Sequence, residues 1–221
     1  MNIQDAPALS GFRATAQSWL ADNFPPSLAG RSEEMALIQP LYPEGEDWSA
    51  WKTAMADKGW GVPTWPKELG GGGLTKEEAR ILAEEMARIG AFSPIGGMAQ
   101  NMFGPTLLEF GTEEQKKRHI PPVARGEIRW CQGYSEPGAG SDLASLQTRA
   151  EDKGDHYLLN GQKIWTSGSV HAHWCFCLVR TDRSKKHEGI SFLLIDMASP
   201  GIEVRPLLLM SGNSTFGEVF F

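Results

Sequence analysis

The period of the hydrophobic pattern changes near residue 128, and this change constrains the fold more than any other feature of the chain. Before it, apolar residues such as Phe12, Ala16 and Trp19 recur three or four positions apart, which indicates amphipathic helices. After it, short apolar runs of strand length alternate with turn residues. We therefore predict an α+β protein with an all-helical domain over residues 1–128, followed by an antiparallel β-barrel or sandwich over residues 129–221.

Two helices carry their own start signals. Thr75 with Glu78, and Thr112 with Gln115, have the spacing of a capping box, in which each side chain satisfies a backbone N–H at the helix start. We expect the second of these helices to be short and to end at Pro121-Pro122, because proline interrupts helical hydrogen bonding.

Asn160-Gly161 lies between two strand-like runs and predicts a tight β-hairpin, since both residues tolerate the positive φ angles of such a turn. The final run, GEVFF, is either a short edge strand or a sign that the polypeptide is cut from a longer one, and we favour the second interpretation. Further strands are predicted at Trp174–Thr181, Ile190–Met197, Ile202–Arg205 and Glu218–Phe221.

Charge and cysteine content limit the partners and the compartment. The formal net charge is −6, so the chain has no long-range attraction for nucleic acid or an anionic membrane surface. We see neither a signal peptide nor an apolar run of transmembrane length. The three cysteines are too few, and odd in number, for a disulfide framework. We therefore predict a cytoplasmic protein with reduced thiols.

Four possible zinc ligands alternate along one strand: His171, His173, Cys175 and Cys177. Side chains two positions apart on a strand stand about 6.5–7 Å from each other, whereas zinc requires every ligand atom within about 2.0–2.3 Å of the ion. An extended row of four cannot converge on one ion, so we predict no metal and interpret the cysteines as small hydrophobes.

Two further segments leave their interpretation open. The basic turn around Arg180, Arg183, Lys185 and Lys186 either contacts a ligand phosphate or is simply solvated. The stretch YSEPGAGSD, residues 134–142, lacks the third glycine of a dinucleotide fingerprint. Its glycines nevertheless permit close backbone approach to a ligand, and its consecutive N–H groups can bind an anion. From local chemistry it is either a binding loop or a plain turn.

A resemblance adds to these readings. WCQGYSEPGAGSD (130–142) followed by NGQKIWTS (160–167) is similar to the acyl-CoA dehydrogenase family, and segments 110–116, 189–196 and 218–221 match in order. The family implies a helical domain, a middle β-domain and a C-terminal four-helix bundle. The first two correspond to our two predicted domains, and the bundle is missing, which the resemblance explains by truncation after Phe221.

The resemblance also implies an FAD site and a substrate site. Ser141 would lie near both the FAD pyrophosphate and the thioester of the substrate, and Trp165 would pack against the flavin ring. The implied FAD-binding residues are Gln132, Tyr134, Ser135, Gly140, Ser141, Trp165, Thr166 and Ser167. The implied contacts to the CoA phosphates are Arg183, Lys185 and Lys186.

The implied reaction is α,β-dehydrogenation of an acyl-CoA thioester, an oxidoreductase step of fatty acid or lipid degradation. The family base is a glutamate that would lie beyond Phe221, so we name no catalytic residue in this chain and expect it to be inactive alone. The resemblance further implies an electron-transfer flavoprotein as acceptor and a homo-oligomer, a dimer or tetramer. Alternatives are an acyl-CoA oxidase, a flavin monooxygenase of the same fold, or a non-catalytic fragment that binds flavin or acyl-CoA.

Overall fold

The computed structural model describes residues 7–35 and 45–221. These form two compact units, one containing the described residues through Glu127 and the other Ile128–Phe221. The first is helical and the second contains every strand of the described chain, which confirms the predicted order of helices followed by sheet.

The helical unit begins its helices where the sequence places capping signals. Thr75 Oγ1 accepts a hydrogen bond from the backbone N–H of Glu78, and Thr112 does the same for Gln115, so both predicted capping boxes are confirmed. A π-helical turn, Ala99–Phe103, precedes the fourth helix. The α-helices are α1 (Pro7–Asn23), α2 (Glu46–Lys58), α3 (Lys76–Arg88), α4 (Gly104–Phe110) and α5 (Glu113–Ala124).

The predicted end of α5 at Pro121-Pro122 is wrong, because the helix continues to Ala124 with both prolines inside it. The prolines remove only donors of the last turn, and the carbonyl of Pro121 still accepts from Arg125 N at 3.1 Å. The carbonyl of Pro122 likewise accepts from Glu127 N at 2.9 Å, so the helix continues past both prolines to Ala124 despite the two lost donors.

Aromatic side chains dominate the core of the helical unit. Trp51 is fully buried, and its ring packs edge-on to Phe24 with centroids 5.1 Å apart. Its indole N–H donates to Phe92 O at 2.9 Å, so the buried polar atom is satisfied. Ala16 and Leu20 are buried on α1, which confirms the apolar face expected from their spacing.

The strands of the sheet unit form two sheets. The first has the order β1-β5-β2-β3, with β6 also paired to β5, and the second has the order β4-β8-β7. The strands predicted after residue 170 are confirmed within a few residues at each end. The eight strands are β1 (Trp130–Gly133), β2 (Arg149–Asp152), β3 (Tyr157–Asn160), β4 (Gln162–Ser167), β5 (Trp174–Arg180), β6 (Ile190–Asp196), β7 (Glu203–Leu207) and β8 (Phe216–Phe220).

The prediction of a wholly antiparallel barrel or sandwich needs correction. Within Ile128–Phe221 the two sheets do not close into a barrel. The β1–β5 and β2–β5 pairs are parallel, whereas β2–β3, β5–β6, β4–β8 and β7–β8 are antiparallel. Parallel pairing requires a long crossover, and the chain between β1 and β5 is long enough to contain β2, β3 and β4.

The predicted hairpin at Asn160-Gly161 is also wrong. The strands on either side of it lie in different sheets, and the true hairpin is β2–β3, whose turn is closed by Lys153 N donating to His156 O at 2.9 Å. Gly161 instead pairs with Phe221 through two backbone hydrogen bonds of 3.0 and 3.2 Å. A Cβ at Gly161 would lie 2.6 Å from Thr148 Cα, so glycine serves close packing here and not a turn.

None of the helices in residues 7–35 and 45–221 combines the length and apolar character that crossing a bilayer requires.

Candidate functional site

The two motifs singled out in the sequence lie side by side in the sheet unit. We call residues 134–142, which follow β1, the glycine loop. The backbone N–H of Ile164 in β4 donates to Ser135 O at 2.9 Å. One residue earlier, Lys163 Nζ donates to Tyr134 O at 3.1 Å. The start of the glycine loop is therefore held against β4 by both backbone and side-chain bonds.

A tight turn forms the middle of the glycine loop. Glu136 and Ala139 exchange two backbone hydrogen bonds, of 2.9 and 3.0 Å. Pro137 and Gly138 occupy the central positions and are exposed, while Ala139 is buried. Proline presets the φ angle for the first central position of such a turn. The loop thus has one side fixed in the protein and one side facing outward.

The inner side of the loop contains a buried ion pair. Lys163 is fully buried, and its Nζ lies 2.7 Å from Glu136 Oε1. The same carboxylate accepts backbone N–H bonds from Gln147 at 2.6 Å and Thr148 at 2.9 Å. This one side chain therefore joins the loop to β4 and to the segment that leads into β2.

The environment of Glu136 favours its charged form. Burial alone would raise the pKa of this carboxyl, but the hydrogen bonds from Lys163, Thr148 and Gln147 outweigh burial and lower the pKa below its ordinary value. A carboxylate held by several donors is a weak base. Glu136 is accordingly suited to hold structure and not to accept a proton from a substrate.

The outer side of the glycine loop is open. Gly138, Gly140 and Ser141 are exposed. A Cβ at Gly138 or Gly140 would meet no atom within 4 Å, and neither residue has a positive φ angle. Nothing in residues 7–35 or 45–221 therefore requires glycine at these two positions. A bare backbone surface that the fold does not need is suited to close contact with a ligand.

Strand β4 contains a bulge that turns one aromatic residue outward. Lys163 pairs with Val219 and Thr166 with Gly217, so three steps on β4 oppose two steps on β8. Within the bulge Trp165 has a φ of 58° and is 56% exposed. A positive φ costs a non-glycine residue on the order of 1–3 kcal/mol, and such strain tends to lie at functional sites.

The residues after Trp165 differ in exposure. Thr166 is fully buried, and its Oγ1 has no hydrogen-bond partner among the described residues. Its hydroxyl is therefore covered by protein, and its main chain is paired with Gly217 of β8. Ser167 is half-buried and pairs with Phe216, whose ring packs edge-on to the Trp165 indole at 6.0 Å. Trp165 is thus supported from one side and open elsewhere.

The residues that lead into the glycine loop form a half-buried strip. Gln132, Tyr134 and Ser135 are each of intermediate exposure. The Tyr134 ring packs edge-on to Phe176, with centroids 6.0 Å apart. Burial raises the pKa of Tyr134, so its phenol stays neutral and able to donate a hydrogen bond.

A buried arginine side chain holds the basic turn together. Arg180 is buried, and its guanidinium donates to four carbonyl oxygens, those of Ala144, Lys185, Lys186 and Glu188. It is therefore an anchor of the turn and not one of its surface charges. Lys186 Nζ lies 2.8 Å from the carboxylate of Asp142, which ties the turn to the glycine loop.

The predicted phosphate contacts carry less free charge than the sequence suggests. Lys185 pairs with Glu188 at 2.7 Å, and Lys186 pairs with Asp142. Hydrogen bonding to Lys186 holds the pKa of Asp142 below its ordinary value. Arg183 is exposed on the same turn. Of these three cations, Lys186 is bonded to the glycine loop, and Lys185 and Lys186 are both already paired with carboxylates.

The cysteines lie in the core of the first sheet. Cys131, Cys175 and Cys177 are free and fully buried. Contact with Cys131 together with burial raises the pKa of Cys175, and contact with Cys175 together with burial raises that of Cys177. Cys175 and Cys177 are therefore neutral thiols, and all three buried cysteines pack as small hydrophobes. Within the described residues no group of three or more histidine, cysteine or acidic side chains could hold a metal ion.

The Lys163–Glu136 pair was missed by reasoning from the sequence. Lysine is almost never fully buried, and local pattern gives no sign that this one is. The available signal was nonlocal: one motif contains two acidic residues, Glu136 and Asp142, the other contains the single cation Lys163, and the resemblance placed the motifs in one site. Opposite charges in two segments expected to meet are candidates for a buried pair.

Comparison with known proteins agrees with this arrangement. The profile of the acyl-CoA dehydrogenase N-terminal domain matches residues 8–127, and that of the middle domain matches residues 131–221. The acyl-CoA dehydrogenase IpdE1 of Mycobacterium tuberculosis is 42% identical over 217 residues, which cover 95% of this chain and 54% of that protein. The chain belongs to the acyl-CoA dehydrogenase family.

Solved structures show the same fold. The Tcur3481-Tcur3483 steroid ACAD is 34% identical, with a TM-score of 0.72 over 100% of this chain and 56% of that one. The glutaryl-coenzyme A dehydrogenase in complex with glutaryl-CoA is 28% identical, with a TM-score of 0.70 over 100% of this chain and 55% of that one. The chain thus spans about half the length of these relatives.

Proposed function

We propose that residues 1–128 and 129–221 are the helical and middle β-domains of an FAD-dependent acyl-CoA dehydrogenase. The observation that carries the proposal is the joining of the two motifs into one surface, with Trp165 exposed beside an open glycine loop. Family membership supports it. The substrate class is an acyl-CoA thioester, and two solved relatives that support it are named a steroid ACAD and a glutaryl-coenzyme A dehydrogenase in complex with glutaryl-CoA.

The residues present fit a flavin. An exposed, strained indole offers a flat apolar face, and the open glycine positions admit an anionic group close to backbone N–H donors. The half-buried strip of Gln132, Tyr134 and Ser135 adds polar contacts. We propose the same FAD-binding set as the resemblance implies: Gln132, Tyr134, Ser135, Gly140, Ser141, Trp165, Thr166 and Ser167.

When bound, the flavin would supply the two-electron acceptor that takes the β-hydrogen of the acyl group as hydride. The chain's own contribution is to bind and orient. Trp165 and the serine hydroxyls would fix the ring and the pyrophosphate, while Arg183, Lys185 and Lys186 would meet the phosphates of CoA. Ser141 would lie near the thioester.

The α-proton requires a base, and the two carboxylates of this site do not suit that role. Glu136 is saturated with donors, which lower its pKa. Asp142 is exposed and paired with Lys186, which also lowers its pKa. We therefore keep the proposal that the base is a glutamate beyond Phe221, and we expect residues 1–221 alone to show little dehydrogenase activity.

The remaining partners and the cellular location are those that the resemblance and the sequence imply. We propose an electron-transfer flavoprotein as acceptor, a homo-oligomeric parent enzyme, and a cytoplasmic location.

The test is to titrate FAD into the chain and into the full-length parent, following flavin absorbance and tryptophan fluorescence, and then to add an acyl-CoA. We expect the parent to bind FAD and the acyl-CoA to bleach its flavin absorbance. Trp165→Ala should weaken FAD binding, whereas Trp174→Ala, in the stacked Trp130–Trp174 pair, is the control for loss of an indole elsewhere. A parent that binds no FAD contradicts the proposal, and release of hydrogen peroxide during turnover in air favours an oxidase.

A further inference from the structure

The side chains of the buried Lys163–Glu136 pair are not among the groups that we assign to the ligand, and their one direct bond to an assigned residue is to the backbone carbonyl of Tyr134. Lys163 is fully buried and Glu136 nearly so, and the hydrogen bonds they make with each other and with neighbouring backbone point inward. Replacing a buried ion pair by well-packed apolar residues is often neutral or stabilising. Stability alone therefore does not account for this pair, and its position suggests another role.

The pair lies at the start of the bulge that exposes Trp165. In a regular strand, Lys163 and Trp165 would share a face, because side chains two positions apart point the same way. Here Lys163 is fully buried while Trp165 is 56% exposed. The extra residue of the bulge and the positive φ of Trp165 separate the two side chains.

A strained residue keeps its conformation only when its surroundings over-determine it. Before Trp165, the ammonium of Lys163 is bonded to both Glu136 and Tyr134 O, and Ile164 N is bonded to Ser135 O. After it, Thr166 is buried and paired with Gly217. The Ile164–Ser135 bond fixes only the start of the glycine loop, whereas the Lys163 anchor also reaches Glu136, at the base of its central turn.

We propose that Lys163 is a positioning residue: bonded to Glu136, it holds the β4 bulge and thereby presents the Trp165 indole and the glycine loop in a fixed mutual geometry. The orientation of the indole toward a flavin depends on the proposed function. The role of Lys163 in setting the position of Trp165 does not depend on it.

The experiment uses the full 221-residue chain with 5-fluorotryptophan at its eight tryptophans. The Trp165 signal in the ¹⁹F spectrum is the one absent from Trp165→Phe. The variants are Lys163→Met and Lys163→Met/Glu136→Gln. The double variant leaves no unpaired buried charge and retains an oxygen to accept a backbone N–H, so it guards against failure of the single variant to fold. Lys153→Met, at an exposed lysine paired with Glu151, is the matched control.

We expect the Trp165 signal of both Lys163 variants to shift or split by more than its linewidth, while the other tryptophan signals and the control spectrum stay unchanged. The affinity of both Lys163 variants for FAD should fall roughly 10–100-fold relative to the wild type. Removing a group that orients a metal ligand lowers metal affinity by a similar factor. An unshifted Trp165 signal in the folded double variant overturns the proposal, whatever the FAD affinity. A shifted signal in a chain whose full-length parent binds no FAD supports the positioning role and contradicts the proposed function.

Discussion

Glycine has opposite roles on the buried, inner side of the candidate site and on its exposed, outer side. Gly161, in the NGQKIWTS motif, faces inward, where a Cβ would lie 2.6 Å from Thr148 Cα. Gly140, in the EPGAGSD motif, faces outward, where a Cβ would meet nothing within 4 Å. The first glycine is required by the fold and the second is not. The difference separates residues that build the site from residues available to a ligand.

The same division holds for the charged residues. On the inner side, Lys163 and Glu136 are buried and bonded to each other and to three backbone groups. On the outer side, Lys186 and Asp142 form an exposed pair. Buried pairs are costly to break, whereas exposed pairs contribute little to stability. Changes on the inner side should therefore alter folding as well as the ligand surface that it positions, whereas changes on the outer side should alter binding with little effect on folding.

The largest effect is expected for Glu136→Ala. The substitution leaves the Lys163 ammonium buried without its counter-ion and two backbone N–H groups without an acceptor. We expect the free energy of unfolding to fall by about 3–5 kcal/mol, measured by urea denaturation. Glu151→Ala, which breaks an exposed ion pair with Lys153, is the matched control and should leave the unfolding midpoint close to that of the wild type. Equal small effects for both variants would remove the distinction between inner and outer charges.

Gly161→Ala should have the next largest effect on folding. The added methyl group overlaps the backbone of Thr148, and we expect a loss of about 1–3 kcal/mol in the free energy of unfolding. The same urea experiment measures it. An unchanged midpoint would show that β4 moves away from Thr148 at no cost, and would contradict the tight inner packing.

The pH dependence of the unfolding free energy tests whether Glu136 stabilises the fold in its charged form. Because its folded pKa is lowered from the ordinary 4.5, its ionisation stabilises the fold at pH values above 4.5, and that stabilisation is lost as the pH falls through the folded pKa. Between pH 5 and pH 3, the wild type should therefore lose more unfolding free energy than Glu136→Gln does. Parallel pH profiles for the two proteins, followed by urea denaturation at each pH, would contradict the lowered pKa.

The smallest effect on folding is expected on the outer side, for Lys185→Glu/Lys186→Glu. Both lysines are exposed, so the unfolding midpoint should change little. In the proposed full-length parent, we expect severalfold weaker binding of an acyl-CoA, measured by calorimetry, because two positive charges near the proposed CoA phosphates become negative. Lys117→Glu/Lys153→Glu, at two exposed lysines outside the basic turn, makes the same four-unit change in net charge and is the control. Unchanged affinity for the acyl-CoA would show that the basic turn is not part of the substrate site.

Local signals in the sequence predicted local structure well. The capping boxes at Thr75 and Thr112 depend on residues three positions apart, so the sequence alone was sufficient to find them. The partner of each strand was not predictable in this way. Asn160-Gly161 has the composition of a hairpin turn, but its glycine is selected by the approach of Thr148, a contact that becomes apparent only once β3 and β4 lie in different sheets.

In the candidate site, too, contacts between distant segments could not be predicted from local sequence. Its outer residues were predicted from the two motifs and the family resemblance, and the structure places the motifs together. Its inner support was not predicted, because a buried lysine and a bulge at a tryptophan contradict ordinary burial and strand alternation. The burial of Thr166 follows from that bulge, and the alternation of the sequence gives no sign of it.

We infer that the outer glycines serve a ligand and not the fold, and Gly140→Ala separates these two roles in one variant. The free energy of unfolding should stay within about 0.5 kcal/mol of the wild-type value, while the affinity of the full-length parent for FAD falls at least severalfold. Full FAD affinity in a stable Gly140→Ala variant would contradict the claim.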